Sequence, residues 1–340
     1  MTLAPNQAYA WTGQVLNALR GALHDAGFAE ILPAILSKRF EPGARHSLAV
    51  LGDRALPTVR SIADDQGRPT VSAIGADYYY LPVSHCVEKQ LALEFAERVY
   101  CVAPCLRLLM DGEHESGRHL YTFFQVEIEW RTESVDDVLT TIERVLATMA
   151  ETILTRPSQE LTMDKDAIGR IAALGRRPFV RLPFSDARDR VRGAGGSVNP
   201  HAVGDLTHAE ENALSHEFDA PFWLTDYPEG VRDSLYRRNG SGTFATYDLV
   251  LPGGYGEVAT GGLRPHSGDD IRQQARNLGP VVHDQYAAWK DRTALQTGGL
   301  GFGLERLIRY CAGRSDILEL RFAHDQGPNA TIDEGQRLCA

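Results

Sequence analysis

The stretch FFQVEIEW, residues 123–130, is rich in strand-forming residues yet carries two acids on one side. Successive side chains of a strand point to opposite faces. Phe124, Val126, Ile128 and Trp130 therefore share one face, and Phe123, Gln125, Glu127 and Glu129 share the other. An apolar face backed by an acidic one is the pattern of an antiparallel sheet that is packed on one side and wet on the other. Upstream, RVYCVAPCLRLLM (98–110) alternates in the same way, and the polar DGEHESGRH (111–119) between the two reads as the loop of a hairpin. Arg107 has the parity of the acidic face. A cation, an aromatic ring and two acids on one concave face suit a zwitterionic or nucleotide ligand, because arginine forks onto carboxylate or phosphate while an acid accepts from ammonium.

Outward from this hairpin, WTGQVLNALRGALHDAG (11–27) reads as an amphipathic helix ending at Gly27, followed by the apolar FAEILPAIL (28–36). Residues 41–76, rich in Gly, Pro and charge, read as a long connection before YYYLP (78–82). Ser134 with Asp137 three residues on resembles a capping box, opening a helix whose apolar stripe is Val138, Leu139, Ile142, Val145, Leu146 and Met149. Residues 155–240 are polar and punctuated by Gly and Pro, and read as an insertion with short helices. TYDLVLPGGYGEVATGGLR (246–264) reads as two strands joined by a turn, with a helix near 268–278. GGLGFGLERLIRYCAG (298–313) reads as a strand, glycines and a helix. Strands mostly in hairpins with helices between them imply an α+β fold around an antiparallel sheet, within one domain spanning 1–340.

Bulk properties narrow the classes. A chain of 340 residues, 43% hydrophobic, can bury a large core. The formal charge of −10 argues against broad attraction to nucleic acid or to an anionic membrane, while leaving room for a local basic groove. No apolar run approaches the length of a membrane helix, and MTLAPNQAYAWTGQ has neither the basic start nor the apolar core of a secretory signal. Five cysteines without metal-ligand pairing fit packed thiols in a reducing cytoplasm. With only four lysines, Lys38, Lys89, Lys165 and Lys290, any lysine inside a motif is informative.

Two further constellations carry chemistry. Asp248 and Glu257 flank a Gly-rich turn, and across a hairpin such a pair can hold Mg²⁺, which takes one or two carboxylates plus phosphate oxygens. In GLGFGLER the glycines admit a ligand close to the backbone, and Arg306 at a helix start can meet a phosphate or lie flat on a purine. Solvated acids beside a turn and plain helix–sheet packing are the bland alternatives.

In this order the three constellations resemble the three motifs of class II aminoacyl-tRNA synthetases, in the subgroup of aspartyl and asparaginyl enzymes and their free-standing relatives. GFAEILPAIL with Pro33 is similar to motif 1, which builds the dimer interface in that family, so a homodimer is implied. The hairpin is similar to motif 2 and GGLGFGLERL to motif 3. LPVSHCVEKQLAL (81–93) resembles the aspartate-recognition segment and GEVATGGLRPH (256–266) the segment after the metal acids. GDLTHAEE (204–211) and PFWLTDYP (221–228) lean toward the asparaginyl branch. Carried over residue by residue, the resemblance implies that Arg107 binds the α-phosphate and the carboxylate being activated, with Arg306 as the second catalytic cation. Phe123 and Arg306 would sandwich the adenine, with Arg118, His119 and Glu257 completing the ATP set. Glu127 would accept from the substrate ammonium, Ser84 would orient the amino acid, and Asp248 and Glu257 would hold Mg²⁺. Lys89 and Arg264 stand where aspartyl enzymes grip the side-chain carboxylate. Two cations facing a neutral amide would be underpaired, so the expected ligand is aspartate or a close acidic analogue.

The pattern also breaks. Arg107-Leu108-Leu109 replaces the family's Arg-x-Glu, Thr122 replaces a glutamate before Phe123, and Cys86 stands in place of a glutamine. Asp111 or Glu113 could substitute from the loop. About a dozen residues precede the core, so no anticodon-binding domain is expected. Together these features imply an ATP- and Mg²⁺-dependent, AMP-forming ligase, resembling an archaeal-type asparagine synthetase. It would pass activated aspartate to ammonia or a small-molecule amine, with tRNA not favoured. The alternatives are a tRNA-using aspartyl or asparaginyl ligase and a catalytically silent amino-acid- or nucleotide-binding paralogue.

Overall fold

The computed structural model describes residues 3–37, 48–51, 59–61, 78–107, 109, 116–193, 204–229, 231–232, 236–240, 242–275 and 283–320. Helix α1 (Pro5–Asp25) leads into β1 (Ala29–Glu30), β2 (Leu48–Leu51), β3 (Val59–Ser61) and β4 (Tyr78–Tyr80). Then follow α2 (Cys86–Ala92), β5 (Arg98–Leu106), β6 (Thr122–Arg131), α3 (Val135–Thr155) and α4 (Lys165–Ala173). The central part comprises β7 (Val180–Pro183), α5 (Phe184–Gly193), α6 (His208–Ser215) and β8 (Phe222–Thr225). The chain continues through β9 (Thr246–Leu251), β10 (Gly256–Leu263), α7 (Gly268–Ala275) and α8 (His283–Thr293). It closes with β11 (Thr297–Gly303), α9 (Leu304–Ala312) and a 3₁₀ turn at Ile317–Leu320.

An eight-stranded sheet runs β1-β5-β6-β11-β10-β9-β8-β7. All neighbours are antiparallel except β1 beside β5 and β7 beside β8. The expected α+β sheet and the β5–β6 and β9–β10 hairpins are present. The connection expected over 41–76 holds β2 and β3, which with β4 form a second, three-stranded sheet, order β3-β2-β4. The stretch 155–240 does carry short helices, but it also supplies β7 and β8, the last two strands of the main sheet.

One face of the sheet meets α1, α3 and α9. Val126, Ile128 and Trp130 pack there with Leu300, Phe302, Leu249, Leu307 and the α3 stripe from Val138 to Met149, all buried. Helix α3 starts where the sequence places it, with Ser134 Oγ accepting from the Asp137 amide at 3.2 Å. The second half of a capping box is diverted, for the Asp137 carboxylate accepts from Trp130 Nε1 at 2.8 Å and so ties the helix to the sheet.

The opposite face was expected to be wet, and it is not. Glu127 and Glu129 are 2% and 0% exposed. Helix α2 lies over β5 and β6, and α8 packs on α2 and α7 around Val87, Ile271, Tyr286 and Trp289. Alternation told which residues share a face, but it carries no information about what later elements place on that face.

Candidate functional site

The buried acidic face is a floor with two ends. A row runs across five strands: Cys101, Glu127, Gly301, Thr260 and Asp248 stand opposite one another on β5, β6, β11, β10 and β9. Gly301 faces Glu127, and Gly299 faces Glu129 in the next row. A Cβ at Gly299 would lie 2.3 Å from Glu129 Oε2 and 2.1 Å from the Ile128 carbonyl. One at Gly301 would lie 3.0 Å from Glu127 Oε2. These glycines make room for the carboxylates of the neighbouring strand.

At the first end, four charges close on one another. Lys89 Nζ donates to Glu127 Oε2 at 2.5 Å and lies 3.5 Å from Glu129 Oε2. Arg264 forks onto Glu129, Nε to Oε1 at 2.8 Å and Nη2 to Oε2 at 2.7 Å. Glu127 Oε1 accepts from the His85 amide at 3.2 Å, and Thr297 Oγ1 donates to Glu129. Burial by itself would lower the Lys89 ammonium pKa, but Glu127 and Glu129 outweigh it and hold Lys89 above its ordinary value. Burial would likewise raise the Glu127 carboxyl, and Lys89 with the Ser84 and His85 donors brings it below the usual range.

The two cations do converge, as the sequence implies, but on Glu129 of the chain itself. With Lys89 and Arg264 matched by Glu127 and Glu129, the cluster is neutral before any ligand arrives. Both cations are paired within the chain, so their number alone does not choose between an acidic and an amide ligand.

At the second end, arginines outnumber the acids they touch. Glu257 Oε1 accepts from Arg306 Nη1 at 3.0 Å, and Arg118 Nη1 pairs with Glu211 at 2.8 Å and meets His208 Nδ1 at 2.8 Å. Burial, reinforced by Arg118 and Arg306, lowers the Arg309 guanidinium to about 10. Burial also lowers Arg306, with Arg118 and Arg107 adding to it. Such crowding of like charge is the environment of a polyanion site.

Asp248 and Glu257 share a face only because of a β-bulge. Asp248 pairs with Thr260 in regular register, but the register slips between Ala259 and Glu257, so Glu257 stands opposite Val250. Without that slip Glu257 would point to the other side of the sheet. Arg232 Nη2 donates to Asp248 Oδ2, whereas Asp248 Oδ1, buried, has no hydrogen-bond partner among the described residues. Burial pushes the Asp248 carboxyl up to about 7, Arg232 working against it and Glu257 with it. Among the described residues no three His, Cys, Asp or Glu side chains gather as a metal site. Two adjacent carboxylates, one with a free oxygen, fit Mg²⁺ that takes its remaining ligands from phosphate and water.

The other sequence-derived residues lie around this floor. Ser84 Oγ accepts from the Cys86 amide at 3.0 Å, and the Arg107 amide donates to the Tyr121 carbonyl at 3.0 Å. His119 Nδ1 lies 2.7 Å from Ser116 Oγ, and Arg306 Nε donates to the Arg118 carbonyl at 3.3 Å. Phe123 is partly buried against the core, its strand held to α9 by Glu305, which accepts from the Phe124 amide at 3.0 Å. Leu108, Asp111 and Glu113 lie outside the described residues. Sequence reasoning missed Arg232, Asp205, Glu211 and His208. All four belong to the Gly/Pro-punctuated stretch, which offers no periodicity to read. It also assigned Glu129 no role beyond a wet face.

Comparison with known proteins bears on the family and the fold. A family profile described as tRNA synthetases class II (D, K and N) matches residues 6–324. The asparagine–tRNA ligase of Pyrococcus horikoshii is 26% identical over 237 residues, covering 68% of this chain and 53% of the relative. The aspartate–tRNA(Asp) ligase of Pyrobaculum aerophilum is 23% identical over 306 residues, covering 89% of this chain and 63% of the relative. The chain thus spans little more than half the length of the first of these relatives. The fold is that of the P. horikoshii asparaginyl-tRNA synthetase complexed with asparaginyl-adenylate, with TM-score 0.76 at 22% identity over 93% of this chain and 68% of that one. These relatives overturn the expectation of a ligase that passes aspartate to ammonia or a small amine and does not favour tRNA: they are named as tRNA ligases. The departures at Leu109, Thr122 and Cys86 were expected to bear on nucleotide and amino acid, and they carry no information about the acceptor.

Proposed function

The chain belongs to the class II tRNA synthetase family of the D, K and N enzymes, and from that premise we propose that it activates asparagine, in preference to aspartate, with ATP and passes the acyl group to tRNA. The carrying observation is the neutral quartet of Lys89, Arg264, Glu127 and Glu129 beside an arginine-rich end on one sheet face. Lys89 and Arg264 are already held by Glu127 and Glu129, so the side-chain carboxylate of aspartate would meet those two carboxylates with no cation of its own, which is costly. A side-chain amide can instead accept from a cation and donate to a carboxylate without displacing either existing pair.

The remaining roles follow from position. Glu127, its oxygens retaining a lone pair beyond those used by Lys89, Ser84 and His85, accepts from the α-ammonium. Arg107, Arg118 and Arg306 draw the triphosphate in and offset the charge that builds as the substrate carboxylate attacks the α-phosphorus and pyrophosphate leaves. Phe123 offers a face for the adenine. Asp248 and Glu257 hold Mg²⁺, which when bound supplies charge neutralisation on the phosphates. Exposed Leu32, Ile35 and Leu36 around Pro33 support a homodimer through this segment.

ATP–pyrophosphate exchange with asparagine and with aspartate, followed by charging of tRNA, tests the reading. Exchange driven by asparagine at least tenfold better than by aspartate, with acylated tRNA, is the expected result. Exchange driven by aspartate alone overturns the substrate, and exchange with neither overturns the activity.

A further inference from the structure

Among the described residues, Arg232 reaches Asp248 from outside the three motifs. It comes from the stretch between β8 and β9, and its guanidinium bridges two carboxylates, Nη1 to Asp205 Oδ2 at 3.0 Å and Nη2 to Asp248 Oδ2. Its carbon Cζ sits 4.0 Å from the centroid of the Tyr227 ring, a cation–π contact that holds the fork from a third side. Arg232 is 16% exposed and Asp248 3% at the side chain, so neither end of the pair is free to wander in solvent. Asp248 Oδ2 is engaged by Arg232, and the Tyr227 hydroxyl bears on the same carboxylate, while Oδ1, buried, meets no geometric hydrogen-bond partner among the described residues. A carboxylate gripped by one oxygen has its rotation fixed, and its other oxygen is presented in a single direction. Groups that hold a metal-binding carboxylate in this way set affinity through orientation.

Resting on the reading of Asp248 and Glu257 as the Mg²⁺ acids, we propose that Arg232 is a positioning residue: anchored by Asp205 and Tyr227, it pins Asp248 Oδ2 and leaves Oδ1 for the nucleotide-bound divalent cation. The guanidinium is therefore a partner of the metal site and not a competitor that must leave it. Lysine can supply the charge at Oδ2 but cannot bridge to Asp205 with a planar fork. The site would thus tolerate lysine in part and glutamine poorly.

The test is Mn²⁺ binding followed by electron paramagnetic resonance, with α,β-methylene-ATP present, for the parent chain and for Arg232→Gln, Arg232→Lys and Asp205→Asn. Circular dichroism melts establish that each variant is folded. The proposal expects Arg232→Gln to weaken Mn²⁺ at least tenfold, Arg232→Lys to recover to within about threefold of the parent, and Asp205→Asn to weaken it about threefold. Unchanged or tighter Mn²⁺ binding in Arg232→Gln overturns it, the tighter result marking the arginine as a competitor. If Arg232→Gln does not fold, Asp205→Asn decides in the same sense: weaker binding supports the proposal, and equal or tighter binding overturns it. A parent chain that binds no Mn²⁺ with the nucleotide analogue is a failure of the metal assignment itself, and is separated from the Arg232 result by that control.

Discussion

The two ends of the floor handle charge in opposite ways. At the Lys89 end two cations and two acids are buried together and every charge has a partner within the chain. At the Arg306 end guanidiniums crowd one another, enough for burial and like charge to lower Arg309 to about 10. A balanced cluster suits a ligand that brings no net side-chain charge, and a cationic surplus suits a polyanion. The same contrast appears between two buried lysines. Lys89 rests on two glutamates and is held above its ordinary value, whereas Lys290 donates to the Leu295 carbonyl and burial lowers it to about 8.

The largest expected effect comes from breaking the balanced end. Glu129→Gln strips Arg264 of its bidentate partner and Lys89 of its second acid, leaving buried positive charge uncompensated. Urea unfolding should show a loss of about 3–5 kcal/mol, and a loss under 1 kcal/mol would mean that water or rearrangement supplies the missing charge.

The lysine contrast sharpens the picture through pH. Because the folded-state pKa of Lys290 lies below its ordinary value of 10.5, the unfolded chain binds the extra proton between about pH 8 and 10.5. The parent should therefore gain stability relative to Lys290→Met as pH rises through that window, by roughly 3 kcal/mol. Paired urea titrations at the two limits measure it; groups common to both proteins cancel, and a flat difference would show that Lys290 titrates normally.

A smaller effect separates the two floor glycines. Gly299→Ala drives a Cβ into the Ile128 backbone, which cannot yield cheaply, while at Gly301 only the Glu127 carboxylate must give way. Overpacking of the first kind costs about 1–3 kcal/mol. Thermal melts should rank Gly299→Ala well below Gly301→Ala, whose main signature would be a raised KM for the amino acid. Equal melts would mean that the strand shifts as a unit.

Much of this fold was readable before any coordinates. Period-two alternation located β5 and β6 and sorted Val126, Ile128 and Trp130 from Glu127 and Glu129. The Ser134 cap and the stripe from Val138 to Met149 located α3. The motif order brought Lys89, Glu127, Asp248, Glu257, Arg264 and Arg306 onto one floor. What escaped was everything set by contact between distant segments: the burial of the acidic face beneath α2, the strands contributed by 155–240, and the pairing of Arg232 with Asp248. The slip at Val258 escaped as well, since a one-residue bulge leaves no mark on composition.

Local rules therefore decided which elements form and which side chains share a face, because backbone sterics and hydrophobic alternation act between near neighbours. Only the packed chain decided who partners whom. Lys89 meets Glu127 across 38 positions and Arg264 meets Glu129 across 135, and a charge's consequence depends on the burial and the counter-charge that such distant neighbours impose.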